Sequence, residues 1–139
     1  MVGEKRLLSE GVLIMEYISS EEFLKQPNEV QGVFIDWWEP SEGDIYSLKR
    51  IGGIGVANGN INEGFKNECI PLFTEGQLRK FIEDKTKYKI VYNYNYEGNI
   101  IVGLKDIKSY GFIKEYETDE ADLLQAYWKV SCEIAKEQI

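Results

Sequence analysis

The chain has 139 residues, of which 43% are hydrophobic and 13% aromatic, and its formal net charge is −8. This length is typical of one domain with a buried core, and no apolar run approaches the roughly 20 residues that span a bilayer. The sequence contains no histidine, which excludes His-dependent catalytic triads, acid–base catalysis by imidazole and zinc sites with imidazole ligands.

The acidic charge is concentrated in two segments. Residues 26–48 contain five acids and no Lys or Arg, and residues 114–139 contain seven acids and three lysines. Because nucleic-acid binding relies on Lys and Arg that neutralise phosphates, we expect no direct nucleic-acid binding and favour a protein partner with a basic surface. No motif for a catalytic group, metal or cofactor stands out, and the absence of a signal-peptide pattern favours a cytoplasmic protein.

The first clear element along the chain is a capping box at residues 19–22, Ser-Ser-Glu-Glu. It predicts a short helix from Ser20 to about Gln26, which Pro27 would end. The next run, residues 33–38 (Val-Phe-Ile-Asp-Trp-Trp), is typical of a buried strand that ends at Pro40.

The two tryptophans of this run make it the first candidate binding site. Adjacent residues of a strand face opposite ways, so only one of Trp37 and Trp38 can join the same core and the other would be exposed. An exposed tryptophan with an acidic rim resembles a binding hot spot. We therefore expect a partner-binding surface formed by Asp36, Trp37, Trp38, Glu39, Glu42 and Asp44. Packing in the core is the competing interpretation, and a carboxylate pair in a sugar cleft is a third.

Residues 51–59 are rich in glycine (Ile-Gly-Gly-Ile-Gly-Val-Ala-Asn-Gly). The spacing fits neither a dinucleotide fingerprint nor a P-loop. A loose strand over 51–57, followed by an Asn-Gly turn, is favoured over a phosphate cradle. Gly53 and Gly55 are nevertheless candidate residues of an alternative ligand-binding site, in which backbone amides would contact a small molecule.

The second half predicts a helix, three strands and a closing helix. A second capping box, Thr74 to Gln77, starts a helix that runs through Asp84, and the strands follow at 88–96, 100–106 and 110–116. An amphipathic helix over 119–138 closes the chain; its wide apolar arc, with Trp128 at the margin, suggests a homo-oligomer contact. The whole chain predicts a single α+β domain, 1–139, in which an antiparallel sheet, comprising this meander and the N-terminal strands, carries two or three helices mainly on one face.

A ladder of aromatic residues is the clearest pattern in the chain, with Tyr or Ile at every second position from Tyr88 to Tyr96. With a two-residue hairpin turn, this face would lie opposite a mixture of polar and apolar residues and could be exposed to solvent. With a three-residue turn at 97–99, it would lie opposite the apolar positions of the next strand. The second register is favoured and predicts that the tyrosines pack beneath the closing helix. In the alternative, Tyr92, Tyr94 and Tyr96 form a stacking platform for a ligand.

From about Pro71 onward, the order of capped helix, aromatic hairpin, third strand and amphipathic helix resembles the small, acidic, uncharacterised proteins of tailed phages and prophages. The resemblance implies a host-directed inhibitor, such as an anti-CRISPR or another anti-defence protein, and transfers no functional residue. The leading hypothesis is thus a non-enzymatic interaction protein that binds a basic macromolecular surface. An oligomeric, nucleotide-sequestering protein and a carboxylate-dependent hydrolase are the alternatives.

Overall fold

The computed structural model describes residues 4–7, 13–59, 61–106, 108 and 111–139. It is an α+β protein, as predicted, with five helices among these residues instead of two or three. The strands are β1 (Glu4–Leu7), β2 (Leu13–Tyr17), β3 (Ile45–Leu48), β4 (Gly52–Val56), β5 (Cys69–Pro71), β6 (Lys89–Tyr94), β7 (Ile100–Lys105) and β8 (Phe112–Glu117). The helices are α1 (Ser20–Leu24), α2 (Asn28–Trp37), α3 (Glu63–Lys66), α4 (Glu75–Thr86) and α5 (Leu123–Glu137).

The chain divides into two compact units, one within residues 1–73 and one within residues 74–138. The first contains the antiparallel hairpin β1–β2, the three-stranded sheet β4-β3-β5 and the helices α1 to α3. The second contains the sheet β6-β7-β8 with α4 and α5. A single domain over the whole chain stays a prediction.

Helix α1 begins with the predicted capping box. The Ser19 hydroxyl accepts a hydrogen bond from the backbone N–H of Glu22, and the Glu22 carboxylate accepts one from the backbone N–H of Ser19, both at 3.2 Å. Thr74 and Gln77 exchange the same pair of bonds at the start of α4. Each box satisfies two N–H groups that the first turn of a helix would leave free.

The strand predicted at residues 33–38 is wrong, because this segment forms the second half of helix α2. Val30, Phe34 and Trp38 are the buried positions, and their spacing of four matches a helical period. The backbone N–H of Trp38 donates to the Phe34 carbonyl at 2.9 Å, which closes the last turn. The sequence signal was misleading because the run contains mostly β-branched and aromatic residues.

The glycine-rich segment forms β4, which pairs with β3 in a hairpin. The Asn-Gly turn is not the hairpin turn, since the chain reverses earlier, between Leu48 and Gly52. Gly55 lies directly opposite Tyr46, and a Cβ atom at Gly55 would fall 2.6 Å from the tyrosine ring. Glycine is therefore required here so that an aromatic side chain can cross the neighbouring strand.

The predicted C-terminal meander is confirmed, with β7 between β6 and β8. Ile90, Ile100, Val102 and Leu104 are buried on one face of it, and α4 and α5 pack against β6 and β7 respectively. The closing helix begins later than predicted, at Leu123, because the Asp122 carboxylate caps it by accepting from the Gln125 backbone N–H at 3.0 Å.

The hairpin between β6 and β7 has neither of the two predicted registers. Tyr94 pairs with Ile100, which leaves a five-residue loop at 95–99. The Asn95 side chain organises this loop by accepting hydrogen bonds from the backbone N–H groups of Glu97 at 2.9 Å and Asn99 at 3.0 Å. The Asn95 N–H still donates to the Asn99 carbonyl at 2.8 Å, but the return bond from the Asn99 N–H goes to the Asn95 side chain. This local side-chain bond ends the strand pairing, and Tyr96 lies in the turn.

The prediction that the tyrosines form part of the core is also wrong. Tyr92 and Tyr94 are 48% and 55% exposed, and Tyr96 is fully exposed. Of the ladder residues on strand β6, only Ile90 is buried. The reason is that α4 contacts β6 near Ile90, whose N–H donates to the Glu83 carboxylate at 3.1 Å. The longest helix, α5, packs on the central strand β7, and β6 is the edge strand of the described sheet.

Candidate functional site

The acidic tryptophan segment lies at the C-terminal end of α2 and in the turn that follows. Trp38 is only 2% exposed, and its indole Nε1 donates to Oδ2 of Asp44 at 3.1 Å. The same carboxylate oxygen accepts from the backbone N–H of Ser41 at 3.0 Å. Asp44 therefore holds both the turn and the Trp38 indole in place, and its carboxylate has a structural role.

Trp37 is half-buried and does not project as an anchor. Its ring packs edge-on against Phe73, with centroids 5.9 Å apart. The expectation that one tryptophan of the pair would be exposed is thus wrong, because it assumed strand geometry. In a helix, neighbouring residues are separated by about 100° instead of 180°, so both rings can pack inward.

The remaining predicted residues, Asp36, Glu39 and Glu42, are exposed. We call these three residues the acidic patch. They lie at and beyond the C-terminal end of α2, where the helix dipole contributes a further partial negative charge. The nearest Lys or Arg in sequence are Lys25 and Lys49, so the patch has no basic residue within its own segment.

A cleft of about 250 Å³ adjoins the acidic patch in the same unit. Its lining is Trp38, Glu39, Pro40, Ile61, Glu63 and Lys66. Two carboxylates and one ammonium group give this lining a net negative charge, and the indole, the proline ring and the isoleucine give it apolar walls. This combination suits a long cationic side chain, whose methylene stem is apolar and whose head is charged.

Lys66 is the residue of this cleft that sequence reasoning missed. It is 5% exposed, and its Nζ lies 3.9 Å from Oε1 of Glu63 on the same helix. The Glu63 side chain itself is 86% exposed. The Asn62 side chain caps this short helix by accepting from the backbone N–H of Phe65 at 2.8 Å, which was the one available sequence signal.

The alternative ligand-binding residues do not form one group within a unit. Gly53 and Gly55 belong to the unit within residues 1–73, and the three tyrosines belong to the other. Gly55 is covered on one face by the Tyr46 ring. The Tyr92 and Tyr94 rings lie edge to face, with centroids 6.1 Å apart.

Tyr127 lies buried in α5 near this tyrosine pair. Burial raises the pKa of its hydroxyl to about 12, partly opposed by the positive charge of Arg79. The ring is 2% exposed. At neutral pH the hydroxyl is therefore protonated, and Tyr127 packs in the core as an uncharged residue.

A second cleft, of about 340 Å³, lies between β8 and α5. Its charged lining residues are Glu115, Glu117, Glu133 and Lys129. The Lys129 ammonium donates to the Thr118 carbonyl at 2.7 Å, so this cation ties the helix to the end of the strand. These carboxylates provide a second acidic surface, against which the acidic patch can be compared.

Trp128, the predicted oligomer contact, is 6% exposed and packs within the protein. It offers no exposed anchor to a second copy through α5.

Over the described ranges, no cluster of His, Cys, Asp or Glu side chains is arranged to hold a metal ion. None of the described helices combines the length and the apolar character needed to cross a bilayer. Comparison of the chain with known protein families, curated proteins and solved structures finds no match.

Proposed function

We propose that this is a cytoplasmic, non-enzymatic interaction protein that binds a basic surface of a macromolecular partner through the acidic patch. The observation that carries the proposal is the exposure of Asp36, Glu39 and Glu42 in a segment without Lys or Arg. Complementary charge accelerates encounter between two proteins and disfavours partners of the wrong sign.

The anchor of such a complex would come from the partner. Both tryptophans are occupied by packing within the first unit, whereas the adjoining cleft is open to a side chain from outside. An arginine or lysine of the partner would place its stem against Trp38 and Pro40 and its head near Glu39. Blocking a basic surface in this way is the mode of action expected of a host-directed or anti-defence inhibitor, the class that the chain layout resembles.

Neutralising the acidic surface should weaken binding of an octa-arginine peptide, used here as a probe of defined chemistry. The triple variant Asp36→Asn, Glu39→Gln, Glu42→Gln removes the three exposed carboxylates of the acidic patch and is expected to raise the Kd about tenfold, since exposed ion pairs are each worth about 0.2 to 1 kcal/mol. Isothermal titration at increasing salt should show the wild-type affinity falling towards that of the variant. An affinity indifferent to both salt and the three substitutions would contradict the proposal.

A second candidate is a small-ligand protein, favoured by the half-exposed Tyr92 and Tyr94 rings. Aromatic faces stack on planar rings such as nucleobases. If nucleotides bind the native state, millimolar nucleotide should raise the Tm, and Tyr94→Ala should abolish the increase. A Tm that nucleotides leave unchanged would eliminate this candidate for the nucleotides tested.

A further inference from the structure

Strand β4 forms an edge of its sheet, and its pairing with β3 is irregular near Gly53, where φ is +76°, but its second half, from Ile54 to Val56, carries neither charge nor proline. Within the part of the chain that the structure describes, it pairs only with β3. Residues 51–59 contain no charged residue and no proline, although charge and proline are the common means of blocking edge-to-edge pairing. Ile51, Ile54 and Val56 are exposed, by 80%, 43% and 56%.

The backbone of β4 has hydrogen-bonding groups directed to this free edge. The Ala57 N–H donates to the Asp44 carbonyl, and the Ala57 carbonyl accepts from the Gly43 N–H, both at 2.9 Å. Both backbone groups of Ala57 are thus used on the side of β3. Because these groups alternate in direction along a strand, the N–H and C=O of Val56 face the open edge.

The charges at the two ends of the hairpin are opposite. Lys49 and Arg50 are exposed at its closed end, and Glu42 is exposed in the turn that adjoins its open end. Residues 45–62 contain no Asp or Glu. In a chain of net charge −8, this is a stretch where a second copy can approach without repulsion between carboxylates.

Antiparallel pairing of two β4 strands would use both the free backbone groups of the edge and the opposite charges at the two ends of the hairpin. A two-fold axis near Gly55 would place the closed end of each hairpin beside the open end of the other, so that Arg50 approaches Glu42 of the second copy twice. Because residues 43 and 44 bond to Ala57 on the β3 side of β4, the backbones of Arg50 and of Glu42 of the second copy would lie about two strand spacings, roughly 10 Å, apart. Extended arginine and glutamate side chains together can span this distance. Parallel pairing would instead bring like charges together.

We propose that the protein forms a two-fold homodimer by antiparallel pairing of β4 with β4 of a second copy. The interface is isologous, so each residue contact occurs twice. The side chains of Ile54 and Val56 from both copies would lie on one face of the resulting six-stranded sheet. This inference goes beyond the proposed function; the two share Glu42, but the tests of the dimer measure oligomeric state alone, so either proposal can fail without the other.

Sedimentation velocity from about 1 µM to about 1 mM tests the dimer, a range that covers weak and moderate affinities. The wild-type chain should convert from monomer to dimer with concentration. Val56→Lys should remain monomeric, whereas Val91→Lys, a matched change at a valine that is 41% exposed on edge strand β6, should dimerise as the wild type does. A wild-type monomer throughout the range, or equal behaviour of the two variants, overturns the proposal.

A charge exchange tests the orientation of the strands. Glu42→Lys alone and Arg50→Glu alone should each weaken the homodimer, because each places like charges at both ends of the interface. An equimolar mixture of the two variants should dimerise as strongly as the wild type, since the charges at both ends are then complementary. Failure of the mixture to dimerise, although both variants retain their circular-dichroism spectra, rules out the antiparallel arrangement.

Discussion

Phe34→Ala is expected to lower the free energy of unfolding by about 3 to 5 kcal/mol, the range for removing a large buried aromatic side chain. Phe34 is 0% exposed, and its ring centroid lies 6.2 Å from that of Phe23 and 5.7 Å from that of Phe73. Truncation would leave a cavity between these rings, which come from α1 and from the segment between β5 and α4. Urea unfolding followed by circular dichroism measures the change.

Asp36→Ala is the matched control, because a strand would place residues 34 and 36 on the same face. In helix α2 Asp36 is exposed, so its replacement should change the free energy of unfolding by less than about 0.5 kcal/mol. A large loss for Asp36→Ala, or a small one for Phe34→Ala, would contradict the helical assignment on which the site is built.

The stability of the protein should depend on Tyr127 at high pH. Burial raises the pKa of Tyr127 from 10.0 in the unfolded chain to about 12. Between these values the unfolded state releases its proton more readily than the native state, so stability falls as the pH rises from 10 towards 12. At 1.36 kcal/mol per pKa unit the full loss is about 3 kcal/mol, of which about 2 kcal/mol is reached by pH 11.5.

Tyr127→Phe isolates this contribution from those of the other tyrosines and the lysines. The difference in the free energy of unfolding between the wild type and this variant should be constant up to about pH 9 and should then shift by about 2 kcal/mol in favour of the variant by pH 11.5. Urea titrations at pH 9, 10.5 and 11.5 measure it. A difference that does not change with pH would show that the hydroxyl titrates as it does in water.

Local signals in the sequence predicted two of the helix starts correctly. The capping boxes at Ser19 and Thr74 are patterns over four residues, and each was found where expected. The meander followed from alternation and turn residues in the same way. Such features are determined by residues that are close together in the sequence, so they can be recognised from the sequence alone.

Features that depend on tertiary packing were predicted poorly. Residues 33–38 have strand propensity, but burial of Val30, Phe34 and Trp38 on one helical face outweighs it. The tyrosine ladder is amphipathic by pattern, yet the position of β6 at the sheet edge leaves Tyr94 half exposed. No local rule indicates which strand will be the edge.

The candidate site was predicted in part. Asp36, Glu39 and Glu42 were identified from charge alone, whereas the roles of the two tryptophans and of Asp44 required the helix and its turn. Glu63 and Lys66 come from a helix distant in sequence, so no spacing rule could assign them to the same cleft.

The affinity of the octa-arginine peptide for two charge-matched triple variants is the most direct test of the proposed function. One is the variant described above; the other, Glu115→Gln, Glu117→Gln, Glu133→Gln, removes the same charge from the cleft between β8 and α5. We predict that the first variant raises the Kd about tenfold and that the second changes it less than about threefold. Equal weakening by both variants would show that net charge alone governs binding and would contradict a role for the acidic patch.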